Sequence, residues 1–183
     1  MNKNAPIIIK KLPKSFFLRS TLKVAHDLVG KLILKKSGKK FKIIKILETE
    51  AYVGEKDLAC HASRGKTKRN FFMYEVGGIF YIYFIYGMHW MMNVVTERKN
   101  FPAAVLIREG EDLNNNKIDL KGPAKITKYL RITKKFNGMP INSKLFFAEE
   151  KNAERFKVKK TKRVGVSYAG KCADYMWRFI LKK

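Results

Sequence analysis

Residues 79–96 read IFYIYFIYGMHWMMNVVT, and this stretch decides what kind of fold the chain can adopt. It belongs to a longer segment, residues 76–96, that contains no Asp, Glu, Lys or Arg and has the length of a membrane-spanning helix. Its glycines and its density of Tyr, Phe, Ile and Val favour strands over a helix. We therefore predict two buried strands, residues 79–86 and 89–96, that turn at Gly87, and we expect no membrane association.

The flanking sequence mixes helix and strand signals. Further strands are predicted at residues 31–36, 41–52, 103–108, 145–148, 163–168 and 177–181, and an acidic loop at residues 109–119. One helix is predicted from Ser20, as its cap, to Val29, and a second begins at Gly122-Pro123. Because mostly neighbouring strands are combined with a few helices, we expect an α+β fold. Residues 1–183 should form a single domain, with a curved, mostly antiparallel sheet flanked by helices.

The chain is strongly basic, with 40 Lys and Arg against 15 Asp and Glu and a net charge of +25. Such a field attracts phosphate backbones without reading their sequence. A general bias towards lysine is the alternative explanation, since Lys outnumbers Arg by 31 to 9. Together with 46% hydrophobic residues, the charge favours a folded nucleic-acid binder.

Two cysteines, Cys60 and Cys172, are too few and too far apart to indicate a disulfide framework. The first 14 residues lack the apolar core of a secretion signal. A cytoplasmic, nucleoid-associated protein is therefore expected. His61 follows Cys60, but no second pair stands at ligand spacing, so we expect no metal.

A pair of carboxylates lies in the predicted strand of residues 41–52. Glu48, Glu50 and Tyr52 share one face, because side chains alternate along a strand. Residues two apart are separated by roughly 6 to 7 Å, near the low end of carboxyl separations in inverting glycosidases. A water molecule could be activated there; alternatively, these carboxylates simply face solvent. The alternation does not indicate which of the two would be the base.

The aromatic residues of the predicted hairpin fall into two sets. Tyr81 and Tyr83 project to the opposite face from Phe80, Phe84 and Tyr86, so at most one set can line a pocket. Tyr86 directly precedes the turn, where its ring can project outward and wedge into a base stack. A plain turn residue is an equally good interpretation of its spacing.

Three further polar residues each allow a structural and a functional interpretation. His61 is either a hydrogen-bonded loop residue or part of a site. Asn93, inside an apolar strand, either satisfies its amide structurally or reads a base edge. Arg108 ends an apolar strand, where it can be an ordinary terminal charge or pair with Glu50 or a phosphate.

The order and spacing of these residues resemble the alkyladenine (3-methyladenine) DNA glycosylase family over nearly the whole chain. The matching text is Glu48-Thr-Glu-Ala-Tyr-Val-Gly, His61, Arg69-Asn70, Tyr81-Ile-Tyr-Phe-Ile-Tyr-Gly-Met, Asn93, Val105-Leu-Ile-Arg, Gly122-Pro-Ala-Lys, Arg163-Val-Gly-Val and Ala169-Gly170. The main departure is residues 71–78, where Phe-Phe-Met-Tyr-Glu-Val-Gly-Gly replaces the usual Gly-Pro-type approach to the hairpin.

The resemblance implies an enzyme that flips alkylated or deaminated purines out of double-stranded DNA and hydrolyses the N-glycosidic bond. It implies Glu50 as the base that activates water, with Arg108 holding the water and the carboxylate. The other implied roles are stacking around the flipped base by Tyr52, His61 and Tyr83, contact with the purine edge by Asn93, and filling of the gap in the duplex by Tyr86. It also implies a monomer without a cofactor.

The phosphate contacts expected of such an enzyme are assigned to basic residues just beyond His61. These are Arg64, Lys66, Lys68 and Arg69. The sequence is also compatible with two other classes of function. Charge and aromatic residues alone would also suit a non-enzymatic DNA- or RNA-binding protein. The pair Glu48 and Glu50 would suit a glycoside hydrolase, which the strongly basic composition disfavours.

Overall fold

Nine strands form one sheet in the computed structural model, which describes residues 8–114, 118–142, 144–151 and 156–182. The strands are β1 (Ile9–Lys11), β2 (Leu32–Ser37), β3 (Lys40–Val53), β4 (Phe80–Ile85), β5 (His89–Val95), β6 (Ala103–Asp112), β7 (Leu145–Glu150), β8 (Val158–Thr161) and β9 (Arg178–Leu181). The α-helices are α1 (Lys14–Phe17), α2 (Thr21–Leu28) and α3 (Pro123–Leu130), and short 3-10 helices cover Phe71–Tyr74, Lys134–Phe136 and Ser167–Asp174.

The long strand β3 organises the sheet. The strand order is β1-β7-β2-β3-β6-β5-β4, and every pairing is antiparallel. The first half of β3 pairs with β2, whereas β9 pairs with residues 48–50 and carries β8 at its other edge. The register of β3 against β6 shifts at Glu48, and such a bulge bends and twists a strand. The expected α+β fold with a mostly antiparallel sheet is confirmed.

The predicted aromatic hairpin is confirmed as β4 and β5. Tyr86 and Gly87 both have positive φ angles, of 51° and 65°, as the central residues of a type I′ turn require. Phe80 and Ile82 pack into the main core, whereas Tyr81 projects to the other face. In the part of the chain that the structure describes, no helix is long and apolar enough to cross a membrane.

Both predicted helices are present, but one is capped differently. Ser20 occupies the position before α2 without a capping bond from its side chain. The carboxylate of Glu97 instead accepts hydrogen bonds from the backbone N–H and the hydroxyl of Thr21, each 2.8 Å long. A partner 76 residues away thus takes the role predicted for Ser20. Gly122 and Pro123 start α3 as expected.

Two predicted segments were wrong. Residues 109–112 continue β6 instead of forming a loop, so Arg108 lies inside this strand and not at its end. Residues 115–117 of the same predicted loop lie outside the described residues. Residues 163–168 do not form a strand, because Gly165 has a φ of +71° and the chain turns into a 3-10 helix from Ser167.

Candidate active site

A cavity of about 380 Å³ opens on the face of the sheet that carries Tyr81, within the size range of small-ligand sites. It brings together side chains from β3 to β6 and from the loops that precede β4 and follow β8. The four residues predicted to contact a flipped base all line it: Tyr52, His61, Tyr83 and Asn93. Arg108 and the predicted wedge residue Tyr86 line it as well. Tyr81 and Tyr83 of the hairpin line the cavity, but so does Tyr86, so the prediction that only one set lines it was wrong. Tyr86 has a φ of 51° and lies in the turn, where the alternation of a strand no longer applies.

Glu50 is fully buried directly behind this wall. Its Oε2 accepts a 2.8 Å hydrogen bond from the Tyr52 hydroxyl and lies 3.3 Å from Nη1 of Arg108. Its Oε1 accepts a 2.8 Å hydrogen bond from the backbone N–H of Val164. All three partners line the cavity. The prediction that Glu50 and Tyr52 share a face, next to Arg108, is therefore confirmed.

Burial raises the pKa of the Glu50 carboxyl above its ordinary value of 4.5. Arg108, the Val164 N–H and the Tyr52 hydroxyl oppose that shift, because each favours the ionised carboxylate, whereas Glu48 adds to it. A carboxylate with a raised pKa accepts a proton more readily. The three hydrogen-bond donors also fix the orientation of this carboxylate.

Glu48 holds Arg108 in place. Nε of Arg108 donates to Oε1 of Glu48 over 2.8 Å, and Arg178 from β9 binds both Glu48 oxygens at 2.7 and 2.9 Å. At Glu48, β3 pairs with β6 on one side and with β9 on the other, and the register against β6 shifts at this residue. Both carboxylate oxygens of Glu48 are thus bound to arginines, which distinguishes the otherwise similar residues Glu48 and Glu50.

The rings at the cavity mouth contact one another through edges. His61 lies 4.5 Å from Tyr83, centroid to centroid, and its Nδ1 is hydrogen-bonded to the Tyr81 hydroxyl over 2.8 Å. Desolvation and, second, the charge of Arg69 lower the pKa of His61 to about 4. This shift favours the uncharged imidazole near pH 7.

Asn93 is buried beneath the rings, and its amide nitrogen donates to the backbone carbonyl of Tyr81 over 3.1 Å. Asn93 on β5 and Tyr81 on β4 lie directly opposite each other in the sheet. The amide is therefore fixed in orientation where it lines the cavity. The structural interpretation of Asn93 is confirmed, and its position leaves it available for contact with a ligand.

Tyr86 projects from the hairpin tip with 83% of its surface exposed. The predicted outward position of this ring is confirmed. The candidate phosphate contacts lie in the loop that carries His61 and are all exposed: Arg64, Lys66, Lys68 and Arg69. Of these, Arg69 is next to the cavity, with its guanidinium 5.7 Å from the Tyr83 ring. Lys66 instead covers the ring of Phe71, at 4.6 Å.

A buried ion pair that was not predicted from the sequence stabilises the backbone next to Glu50. Arg163 donates to both carboxylate oxygens of Asp57 at 2.6 and 2.8 Å, and to the carbonyls of Ala51 and Cys172. Both charged side chains are essentially inaccessible to solvent, at 0% and 1%. Arg163 directly precedes Val164, so this ion pair fixes the backbone that binds Glu50. No local pattern signals a partner 106 residues away.

Another residue that went unassigned, Asn70, shapes the loop that presents His61. Its amide nitrogen donates to the carbonyls of His61 and Gly65, and its oxygen accepts from the N–H of Thr67. Within the described ranges, no three His, Cys, Asp or Glu side chains are grouped to hold a metal ion.

The cavity combines a fixed carboxylate with aromatic walls in a strongly basic protein, which suits hydrolysis of a bond within a nucleic acid. Residues 15–183 match the family model described as Methylpurine-DNA glycosylase (MPG). The chain belongs to the methylpurine-DNA glycosylase family.

Similar proteins in several bacteria carry the name "Putative 3-methyladenine DNA glycosylase". The relative from Legionella pneumophila (strain Lens) is 42% identical over 95% of this chain and 96% of its own length. That from Borrelia garinii subsp. bavariensis is 41% identical over 93% and 96%, and that from Clostridium novyi (strain NT) 37% over 95% and 96%.

Proposed function

We propose that this chain excises alkylated or deaminated purines from double-stranded DNA, which is the first step of base excision repair. The family gives the class of reaction. The observation that carries the proposal is the buried Glu50 carboxylate, held by Arg108, Tyr52 and Val164 against a cavity with aromatic walls. The hydrolysed bond joins the purine to C1′ of its deoxyribose.

The target nucleotide must rotate out of the duplex, because stacking and pairing shield its glycosidic bond. Rotation costs a few kcal/mol, and less for a damaged or mispaired base, which contributes to lesion selection. Tyr86, exposed at the tip of the hairpin, fills the vacated space. The flipped purine enters the cavity between Tyr52, His61 and Tyr83.

These walls suit a positively charged alkylpurine. Electron-rich tyrosine rings attract a cation placed over their faces. His61 does not repel it, because the pKa of about 4 keeps the imidazole uncharged near pH 7. Asn93, held by the Tyr81 carbonyl, lies against the purine edge and sterically disfavours the 2-amino group of normal guanine.

In the chemical step, the bond between C1′ and the purine nitrogen breaks and its electron pair leaves with the base. A water oxygen bonds to C1′ while the Glu50 carboxylate accepts the proton of that water. The carboxylate also stabilises the positive charge that develops at C1′ as the bond breaks. Arg108 orients the carboxylate and the water. An alkylpurine cation leaves as a neutral base, and an abasic site remains.

The proposed enzyme acts as a monomer on nucleoid DNA in the cytoplasm, without a cofactor. Phosphates next to the flipped nucleotide are bound by Arg69, beside Tyr83, and by the other exposed cations of its loop, Arg64, Lys66 and Lys68.

An excision assay on a panel of lesions tests this function. Duplexes containing a methylated purine, ethenoadenine or hypoxanthine are incubated with excess protein, and abasic sites are revealed by alkaline cleavage. We expect release from at least one lesion duplex and none from the undamaged duplex. Intact bases in every duplex would refute the proposal, and tight binding without release would support a non-enzymatic nucleic-acid binder.

The pH dependence should reveal Glu50 as the ionised base. The rate of release falls as the pH decreases through the raised pKa of Glu50, because protonation removes the acceptor, so the acid limb lies above pH 4.5. Replacing Arg108 with Met removes a charge that favours the carboxylate and should move this limb to higher pH. The measurement is single-turnover excision of a methylated purine across the pH range.

Arg178→Met is the matched control for that experiment, because Arg178 binds Glu48 and has no hydrogen bond to Glu50. Its acid limb should shift less than that of Arg108→Met. An unchanged limb in Arg108→Met would show that the limb does not report the carboxylate next to Arg108.

A further inference from the structure

Tyr168 lines the cavity, but the proposed function gives its ring no role. Although the residue borders a cavity, 71% of its surface is exposed. Among the described Phe, Tyr and Trp residues only Tyr86 is more exposed, at 83%, and the next, Phe71, reaches 44%. The two most exposed of these side chains therefore border the same cavity. Tyrosine suits a ligand contact at such a position, because its ring supplies apolar contact area and its hydroxyl a hydrogen bond.

The backbone on both sides of Tyr168 is fixed, although the ring is exposed. Val166 and Ala169 are buried and pack with Ala59, from the loop that leads to His61. The N–H of Ala169 also donates to the carbonyl of Val166 over 2.9 Å. Because the backbone is already ordered, a contact made by this ring loses little backbone entropy when a ligand binds.

Tyr168 lies on the side of the cavity that borders Glu50. It follows Val164, whose N–H binds the Glu50 carboxylate, by four residues. Between them, Gly165 also lines the cavity, and a Cβ added there would meet no described atom within 4 Å. Burial raises the pKa of Tyr83, and Glu50 and, less strongly, Tyr168 raise it further, so the two phenols lie near each other. Open space therefore lies next to the carboxylate, between Tyr83 and the exposed ring.

This location places Tyr168 at the sugar end of a flipped nucleotide. Under the proposed function, C1′ of the deoxyribose faces Glu50, while the purine lies between Tyr52, His61 and Tyr83. The phosphates of that nucleotide extend from the sugar towards solvent, where the Tyr168 ring is exposed. Tyrosine hydroxyls are among the groups that bind DNA phosphates.

We propose that Tyr168 binds the sugar and the phosphate of the flipped nucleotide and thereby retains this nucleotide in the cavity. Its ring packs against the deoxyribose, and its hydroxyl donates a hydrogen bond to a phosphate oxygen. The inference rests on the proposed function, which supplies the flipped nucleotide. A nucleotide that stays stacked in the duplex does not enter the cavity. The contact therefore favours lesion DNA over undamaged DNA, and Tyr168 is a specificity-determining residue.

The test compares Tyr168→Phe, which removes the hydroxyl, with Tyr168→Ala, which also removes the ring. Tyr175→Ala is the matched control, because Tyr175 is exposed in a groove outside the cavity. All variants carry Glu50→Gln, so that the base is retained during the measurement. Fluorescence anisotropy measures binding to a duplex with a central ethenoadenine and to the undamaged duplex. The fluorescence of ethenoadenine itself reports its unstacking.

We expect Tyr168→Phe to bind the ethenoadenine duplex about fivefold more weakly, the effect of one lost hydrogen bond. Tyr168→Ala should bind it about twentyfold more weakly, because the contact with the sugar is lost as well. The unstacked fraction of ethenoadenine should fall in the same order. Affinity for the undamaged duplex should stay within about twofold, since its phosphates are bound elsewhere. With Glu50 intact, the acid limb of base release should not move, because Glu50 keeps its three hydrogen bonds.

Parental affinity of Tyr168→Ala for the ethenoadenine duplex would overturn the inference. An equal loss on the undamaged duplex would overturn it too, because the ring would then make a general contact with DNA. A similar loss in Tyr175→Ala would show that the effect is not specific to the cavity. A shifted acid limb would assign Tyr168 a structural role next to Val164, and parental affinity of Tyr168→Phe would exclude the phosphate contact.

Release of the base by the wild type is measured on the same ethenoadenine duplex and on a duplex with a methylated purine. Release from neither would count against the proposed function. The comparison of binding to lesion and undamaged duplexes would still decide whether Tyr168 retains a flipped nucleotide.

Discussion

Glu50→Gln should reduce the single-turnover rate of base release by about a thousandfold while leaving affinity for lesion-containing duplex within about threefold. The loss of a positioned general base typically costs 10²- to 10⁴-fold, and the substitution also removes the negative charge that stabilises C1′. The amide is nearly isosteric, but it accepts hydrogen bonds through one oxygen, whereas the carboxylate uses both to hold Val164, Tyr52 and Arg108. Single-turnover excision and equilibrium binding provide the two measurements.

The control for this variant is Glu149→Gln, which removes a partly exposed carboxylate of β7 that binds Lys10 and Lys31. Its release rate should equal that of the wild type. Glu48→Gln should show an intermediate loss, because it loosens Arg108 without removing the base. Full activity of Glu50→Gln would exclude Glu50 as the base, and an equal loss of binding would indicate a structural role.

The sequence predicted the parts of the site that depend on local alternation. The shared face of Glu50 and Tyr52, and the separation of Tyr81 from Phe80, follow directly from the two-residue period of a strand. The turn at Gly87 follows from local backbone preference. Such features are encoded within a few residues, so they are recognisable without knowledge of the remaining fold.

The errors arose where distant partners decide the structure. Residues 109–112 look like an acidic loop, yet Glu111 lies opposite Lys45 in the sheet, and buried Asp112 accepts a hydrogen bond from the Tyr129 hydroxyl. A strand with such partners tolerates charges that are unfavourable in isolation. The side chains of residues 163–166 alternate as in a strand. In the structure, however, this segment is a loop whose Val164 N–H donates to Glu50. A hydrogen bond from the backbone does not depend on the side chain, so no sequence pattern predicts it.

Arg163→Met should destabilise the protein by about 3 to 5 kcal/mol, the usual cost of breaking a buried ion pair by removing one partner. It leaves the Asp57 carboxylate buried, where only the N–H groups of Val53 and Ala59 compensate its charge. Asp57→Asn should be costly for the converse reason, because it leaves the arginine uncompensated. The double variant should lose less than the sum of the two single losses, because neither charge then remains unpaired. Urea unfolding of all four proteins measures the coupling.

The neighbouring residue provides the control. Lys162 also forms an ion pair, with Asp174, but both side chains are more than 60% exposed, so Lys162→Met should cost about 1 kcal/mol or less. Arg163→Met should also slow base release at temperatures where it remains folded, because the Val164 N–H loses its anchor to β3 and thereby its alignment with Glu50. A folded Arg163→Met protein with the wild-type release rate would show that Val164 is held without this ion pair. Additive single losses would show instead that the two charges act independently.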